Sequence, residues 1–243
     1  MRCDNMKEIK ILHLFPRLLS LYGEYGNVAV LEKVLKEEGC AVTVTGWEQG
    51  DLDLASFDFI YVGSGTEDNL LEAVKRLNPH AEKIAASIQG GQNWLVTGNA
   101  MTLFGKTIAR RGQESQALGC FGYATELNEQ KRFLGDVVTQ PAFGDTCIGF
   151  INNSCVFKGM DAPLFELILN PQLGNDKASS QDGFVAGNFR GTQLIGPVLV
   201  KNPHFLSKVA EEITGAAPAL GEDSNIVKAY RISVGELKAR IQA

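Results

Sequence analysis

Residues 94–105 read Trp94-Leu95-Val96-Thr97-Gly98-Asn99-Ala100-Met101-Thr102-Leu103-Phe104-Gly105. The apolar run at the start predicts a buried strand, Gly98 predicts a tight turn, and the residues after it predict the start of a helix. In many α/β enzymes a nucleophile occupies this kind of strand-to-helix turn. Because Gly98 has no side chain that could react, the segment predicts an enzyme-like scaffold whose nucleophile is missing.

Strand-like and helix-like patterns alternate in the sequence before this segment. Strands are predicted at residues 9–15, 41–45, 57–62 and 93–97. Helices are predicted at 28–39, 66–77 and 81–89, and another is expected to begin at Asn99 and run through Phe104. Such alternation implies right-handed βαβ crossovers and therefore a parallel sheet.

The pattern changes after residue 106. Short β-like runs at 121–126, 133–139, 147–150, 184–188 and 193–200 are interpreted as antiparallel strands that extend the sheet or form a second one. Helices are predicted at 203–213 and 222–241, and the polar segment 173–183 is predicted to be an exposed loop or hairpin tip. We therefore expect an α/β fold with a parallel sheet, flanking helices and an antiparallel β extension, in one domain spanning residues 1–243.

Composition restricts the classes of function. The 243 residues carry a formal net charge of −5, which argues against a nucleic-acid partner because phosphate binding requires a basic face. No run approaches the roughly 20 apolar residues that span a bilayer, so no membrane insertion is expected. The first eight residues carry two acids and no apolar stretch, so they do not have the pattern of a signal peptide. Together with irregularly spaced cysteines, this predicts a cytoplasmic protein with reduced thiols, no disulfide framework and no metal site (Cys3, Cys40, Cys120, Cys147, Cys155).

The carboxyl ends of the predicted strands are where a ligand would bind. Gly63-Ser64-Gly65-Thr66 follows one strand and precedes a helix, so its backbone N–H groups could form an oxyanion or anion site. The alternative is a tight connection for which glycine is simply suitable. The segment lacks the third glycine of a dinucleotide fingerprint, and no Gly-Lys-Ser/Thr is present, so no nucleotide cofactor is predicted.

The three histidines do not suggest a catalytic base. His13 lies within a predicted strand and is expected in the core. His80 and His204 fall near predicted helix starts and are expected to be solvated. No cysteine or serine stands at a recognisable nucleophile position near any of them, so structural roles are favoured.

Five segments carry a resemblance to a known family. Residues 21–27 (LYGEYGN) are similar to Leu-Tyr-x-Asp-x-Gly-Asn, 61–68 (YVGSGTED) to a Gly-Gly-Gly loop, and 132–137 (RFLGDV) to Arg-x-x-Gly-Asp. Residues 149–153 (GFINN) are similar to Gly-Phe-Glu-Asn-His. Residues 191–203 (GTQLIGPVLVKNP) follow Gly-Thr-Tyr-Leu-His-Gly-Pro-Leu-Leu-Pro-Lys-Asn-Pro without a gap. These motifs resemble the class I glutamine amidotransferases of the cobyric-acid-synthase type, and most closely the GatD glutaminase subunits of lipid II isoglutaminyl synthase.

The resemblance implies a fold, a partner and a site. It implies a flavodoxin-like α/β core and a Mur-ligase-like subunit beside which the chain would act in amidating the D-glutamate of peptidoglycan precursors. It assigns oxyanion-hole backbone to Gly63, Ser64 and Gly65, and glutamine binding to Arg132. Together with Asn99, these four residues are the candidate ligand-binding set for a glutamine-like small molecule. The alternative for Arg132 is a surface charge beside a strand.

The chain departs from the family at the catalytic positions. The family motif Leu-x-x-Cys-Gly-Gly-Tyr-Gln corresponds to residues 95–102, which places Gly98 at the cysteine. Ile195 stands at the family's histidine, so both members of the dyad are absent. Loss of a nucleophile or its base typically costs on the order of 10⁶ in kcat. Thr97 is expected to point away from the site, and Cys120 has no histidine near it in sequence, so neither is expected to substitute.

Three hypotheses remain open from the sequence. The first is a non-hydrolysing amidotransferase-like subunit that partners a Mur-ligase-like protein in cell-wall precursor amidation. The second is an active glutaminase that supplies ammonia for lipid II or cobyric acid amidation through unrecognised residues. The third is a solitary small-molecule binding protein.

Overall fold

A computed structural model describes residues 7–242 of the chain. Its strands are β1 (Glu8–Leu14), β2 (Ala41–Trp47), β3 (Phe59–Val62), β4 (Asn93–Thr97), β5 (Thr107–Arg110), β6 (Gln113–Gln116), β7 (Ala124–Leu127), β8 (Phe133–Ala142), β9 (Asp145–Asn153), β10 (Cys155–Lys158), β11 (Phe165–Leu169), β12 (Gln181–Asp182), β13 (Phe184–Ala186) and β14 (Phe189–Thr192). Its α-helices are α1 (Tyr25–Glu37), α2 (Glu67–Leu77), α3 (Ala81–Gln89), α4 (Val198–Lys201), α5 (Pro203–Thr214) and α6 (Asn225–Gln242). The signal-peptide prediction and Cys3 concern residues that lie partly or wholly outside this range.

The main sheet is a six-stranded sheet in the order β13-β14-β4-β3-β1-β2. Five neighbouring strands are parallel, and β13 adds to the β14 edge in the antiparallel direction. Read from the other edge, the parallel strands follow the flavodoxin-like order 2-1-3-4-5, which confirms the expected α/β class. The carboxyl ends of β3, β4 and β14 therefore meet at one side of the sheet, where the candidate site residues follow them.

Helices cover both faces of this sheet because successive strand residues point to opposite sides. On one face Leu12, Ile60 and Val96 pack with apolar residues of α2 and α3. On the other face Ile11 and Tyr61 join apolar residues of α1 and α5. The strands β1, β3 and β4 inside the sheet are thus buried on two sides, which explains why they appear in the sequence as continuous apolar runs, whereas the edge strand β2 is largely exposed.

Two four-stranded sheets form the β extension, in the orders β10-β7-β5-β6 and β12-β11-β8-β9. The second is antiparallel throughout, whereas in the first β5 pairs with β7 in the parallel direction. The extension was therefore predicted correctly as β structure, but its purely antiparallel character was wrong.

Three local predictions also need correction. The expected helix after Gly98 is a 3-10 helix that ends at Phe104, because the carbonyls of Leu103, Phe104 and Gly105 accept hydrogen bonds from residues 118–121 instead of continuing the helix. The segment 193–200 is not a strand: Ile195 makes a single bridge to Phe150, and the chain then enters α4.

The polar segment 173–183 is not simply an exposed loop. Asn175 is buried and exchanges two hydrogen bonds with Gly183, and Asp182 is fully buried against Thr192 and Gln193. Polar side chains with complete hydrogen bonding can be buried, which a composition-based reading of this segment does not detect. No helix among residues 7–242 has the length and apolar character needed to cross a membrane.

Candidate functional site

Gly98 and Ile195, the two positions that the sequence motifs align with a catalytic dyad, lie side by side in this structure. A Cβ atom built on Gly98 would lie 2.8 Å from Cγ2 of Ile195. It would also lie 1.9 Å from Oγ of Ser64. Gly98 has a φ of +63°, a left-handed backbone conformation that residues other than glycine rarely adopt. The sharp turn at the end of β4 is therefore retained, while the hydroxyl of Ser64 and the side chain of Ile195 fill the space in front of it.

The loop 63–65 is closed by the side chain of Asn99. Gly65 N–H donates to Oδ1 of Asn99 at 3.1 Å, and Nδ2 of Asn99 donates to the Gly65 carbonyl at 2.7 Å. Ser64 and Asn99 are 1% and 5% exposed, so water does not compete for these contacts. The Gly65 N–H is consequently already bonded, rather than free to bind a developing oxyanion. In the motifs that the sequence resembles, glycine stands at both the Ser64 and the Asn99 positions, so this chain carries larger side chains at both.

A buried carboxylate connects the segments that carry Gly98 and Ile195. Glu24 is fully buried and accepts hydrogen bonds from the Thr97 hydroxyl, from Tyr61 at 3.1 Å and from the Gly196 N–H at 2.9 Å. Asn27 donates to the Tyr61 hydroxyl at 2.9 Å and accepts from the Leu199 N–H. The residue before Gly98 and the residue after Ile195 are therefore held by one side chain from the start of α1.

Burial raises the pKa of Glu24, while its hydrogen bonds from Thr97, Gly196 and Tyr61 act in the opposite direction. A carboxylate that accepts several hydrogen bonds is stabilised in its charged form, whereas desolvation favours the neutral form. Sequence reasoning did not single out Glu24, although it stands at the acidic position of the Leu-Tyr-x-Asp-x-Gly-Asn motif. That position was the available signal.

Arg132 lies near the amino end of α2, and its guanidinium contacts three neighbouring side chains. Its Nε donates to Asn152 at 2.6 Å and its Nη2 to the Tyr22 hydroxyl at 3.0 Å. Its Nη1 lies 3.6 Å from a carboxylate oxygen of Glu67. The Arg132 side chain is 45% exposed, so this ion pair contributes little to stability. The guanidinium is thus oriented, with part of its surface open to solvent.

The side chains considered as substitutes for the nucleophile are not activated. The Thr97 hydroxyl is fully buried and bonded to Glu24 and Tyr61. Burial raises the pKa of Cys120 to about 11. Both features oppose nucleophilic reactivity at neutral pH.

The histidines differ in their surroundings. His13 is 6% exposed, which confirms its expected place in the core. His80 and His204 are half-buried rather than solvated. Nε2 of His204 lies 3.3 Å from Sγ of Cys147, but that thiol is fully buried and desolvation raises its pKa and lowers that of His204. The pair therefore consists of two neutral groups and does not form a thiolate–imidazolium dyad.

The cysteines and other potential metal ligands are dispersed. The four cysteines within residues 7–242 are free thiols (Cys40, Cys120, Cys147, Cys155). In the same part of the chain, no group of three or more His, Cys, Asp or Glu residues is arranged to hold a metal ion.

Comparison of the sequence with known proteins identifies two GatD relatives. The chain is 27% identical over 209 residues to lipid II isoglutaminyl synthase (glutamine-hydrolyzing) subunit GatD of Staphylococcus aureus strain N315, covering 85% of each chain. It is 26% identical over 203 residues to the subunit of the same name from Streptococcus pneumoniae strain ATCC BAA-255 / R6, covering 82% of this chain and 77% of the relative. No protein-family model matches the chain.

Comparison of the structure agrees with the topology. A crystal structure of a glutamine amidotransferase superposes with a TM-score of 0.54 at 14% sequence identity, covering 82% of this chain and 98% of that one. At this identity the similarity is one of fold.

Proposed function

Since the chain is a homologue of GatD glutaminase subunits and has a glutamine amidotransferase fold, we propose that it is a non-hydrolysing amidotransferase-like subunit. The observation that carries this proposal is the direct packing of Ser64 and Ile195 against Gly98. Glutamine hydrolysis by this family would require a nucleophile at position 98 and a base at position 195. Neither side chain is present, and the space for a nucleophile is filled.

The closed loop supports the same proposal. Oxyanion stabilisation requires N–H groups that point at the reacting atom and are free to bind it. The Gly65 N–H instead donates to Asn99. We therefore propose that Gly63, Ser64, Gly65 and Asn99 hold this loop shut, a packing role that their contacts favour over the ligand binding suggested by the sequence. The partly open guanidinium of Arg132 remains the candidate for contact with a carboxylate.

The partner and process are proposed from the relatives. Both relatives are named as subunits of lipid II isoglutaminyl synthase. We propose that this chain, as one domain, binds a Mur-ligase-like protein in the cytoplasm and serves lipid II amidation as a structural subunit. The net charge of −5 does not favour nucleic acid as an alternative partner.

A glutaminase assay on the purified chain tests the proposal that the chain does not hydrolyse glutamine. We expect ammonia release from glutamine to stay at the background of a buffer control, with the chain alone and with a Mur-ligase-like protein from the same cell. Release at rates of about 1 s⁻¹ or more, which are ordinary for enzymes, would establish the alternative of an active glutaminase.

Affinity purification from the native cell tests the partner. We expect a Mur-ligase-like protein to accompany the chain at a fixed ratio through size exclusion. A chain that elutes alone would favour the solitary small-molecule binding protein.

A further inference from the structure

A small cavity of about 210 Å³ lies between α4, α6 and the β8–β9 hairpin. Charged side chains contribute much of its lining (Asp136, Lys201, Glu236, Arg240), together with Ser233 and the backbone at Gly149. Ser64, Gly98 and Ile195 do not line it, so it is separate from the closed family site. Pockets for drug-sized ligands usually measure about 300–1,000 Å³, so this cavity fits a smaller molecule.

Two of the four charges neutralise each other. Nη1 of Arg240 lies 2.7 Å from Oδ2 of Asp136. Lys201 and Glu236 make no side-chain hydrogen bond or ion pair with any residue in the range 7–242. One cation and one anion at the cavity thus remain available to a ligand.

Lys201 is the more constrained of the two. It is half-buried, and its Nζ lies 3.3 Å from where a Cβ atom on Gly196 would stand, so the ammonium is packed against the backbone beside Ile195. Desolvation lowers the pKa of Lys201, and the more distant carboxylates of Asp136 and Glu24 only partly oppose this. A half-buried ammonium without a bonded partner is unfavourable, and a ligand carboxylate would offset that cost.

The charges of Lys201 and Glu236 indicate which class of ligand the cavity would bind. A ligand with two negative charges would pair with only one free cation, and the ammonium of a simple amine would be repelled by Lys201. We propose that the cavity binds a free α-amino acid, with its carboxylate at Lys201 and its ammonium at Glu236. Ser233 also lines the cavity. This inference does not depend on the proposed function.

Titration calorimetry of the full chain with L-alanine and L-glutamine tests the site. We expect both amino acids to bind, and butyrate and butylamine, which each lack one charge, to bind at least about tenfold more weakly. Lys201→Met removes the cation at similar length and should weaken binding at least about tenfold, whereas Lys201→Arg should retain it within a few fold. Glu236→Gln, at an exposed position, should weaken binding by about three- to tenfold.

Lys228→Met is the control for removing a lysine charge, because Lys228 lies on α6, the helix that carries Glu236, is 55% exposed and pairs with Asp223 outside the cavity. We expect it to bind both amino acids as the unmodified chain does. The proposal is overturned if neither amino acid binds at millimolar concentration, if butyrate binds as tightly as alanine, or if Lys201→Met and Glu236→Gln both bind normally. Circular dichroism of each variant separates loss of binding from loss of folding.

Discussion

At the scale of single residues, Gly98 combines a left-handed backbone with a lack of space. Gly98→Ala would place a methyl group against Ser64 and Ile195 at a φ of +63°. Backbone strain and overpacking add, so we expect the free energy of unfolding to fall by about 2–5 kcal/mol in urea titrations. Ser64→Gly in the same chain should recover the part of this loss that comes from the contact with Ser64, while the contact with Ile195 remains.

Gly215 offers a control for the strain alone. It has a φ of +85° at the end of α5, and nothing lies within 4 Å of the position of its missing Cβ. Gly215→Ala should therefore cost only about 1–2 kcal/mol. Equal losses at the two glycines would show that Ser64 and Ile195 do not fill the space at Gly98.

His13 makes a prediction about pH. It is buried, its Nε2 has no hydrogen-bond partner within the described residues, and desolvation lowers its pKa from 6.5 to about 4. Between these values the unfolded chain binds a proton that the folded chain does not, so stability falls as the pH decreases from 6.5 to 4. We expect this group to contribute about 3 kcal/mol to the loss. The difference in urea stability between the natural chain and His13→Leu, followed across this range, measures it; a pH-independent difference would contradict the assignment.

At the scale of elements, most of the strands that could be predicted are those whose burial leaves a recognisable pattern of apolar residues in the sequence. The strands β1, β3 and β4 were predicted because strands buried on both faces form continuous apolar runs. The exposed edge strand β2 was predicted from its β-branched residues instead. β14 was missed because Gly191 interrupts its pattern; the glycine leaves room for the side chain of Met101, whose Sδ would lie 2.7 Å from a Cβ atom there. β6 was missed because all four of its residues are exposed and show no alternation. Tertiary contacts, rather than local pattern, specify such strands.

The docking of the 3-10 helix on the loop 63–65 depends on Asn99. Asn99→Ala would leave both the N–H and the carbonyl of Gly65 buried without these partners. We expect a loss of about 1–3 kcal/mol in unfolding free energy and faster hydrogen exchange at the Gly65 amide. Asn128→Ala, which removes one exposed side-chain contact to the Gln130 N–H, is the control and should change stability by less than about 0.5 kcal/mol. Unchanged exchange at Gly65 in Asn99→Ala would refute the closed loop.

At the scale of the whole molecule, the sequence motifs singled out two positions that the fold brings together, but not the side chains that surround them. Motif spacing aligned Gly98 and Ile195 with two interacting family positions, and the fold places them in contact. The sequence did not reveal that Ser64 fills the space beside Gly98 or that Asn99 bonds the Gly65 N–H, because contacts between loops distant in sequence depend on the assembled sheet. Nor did it reveal that Glu24 holds Thr97 and Gly196.

That retained frame leads to a prediction about restoring activity. Gly98→Cys with Ile195→His replaces the dyad, but Ser64 would crowd the thiol and Asn99 would still occupy the Gly65 N–H. We therefore expect this double variant to remain inactive as a glutaminase. Adding Ser64→Gly makes space for the thiol, and adding Asn99→Gly frees the Gly65 N–H, while Glu24 continues to hold the flanking backbone.

The quadruple variant should release ammonia from glutamine at least about 10²-fold faster than the double variant, which is the contribution typical of an oxyanion donor. The measurement is the rate of ammonia release from glutamine by each folded variant of the full chain. A double variant as active as the quadruple one would mean that Ser64 and Asn99 do not block the site. A folded but inactive quadruple variant would mean that the backbone held by Glu24 is insufficient, and that glutaminase activity requires changes beyond these four side chains.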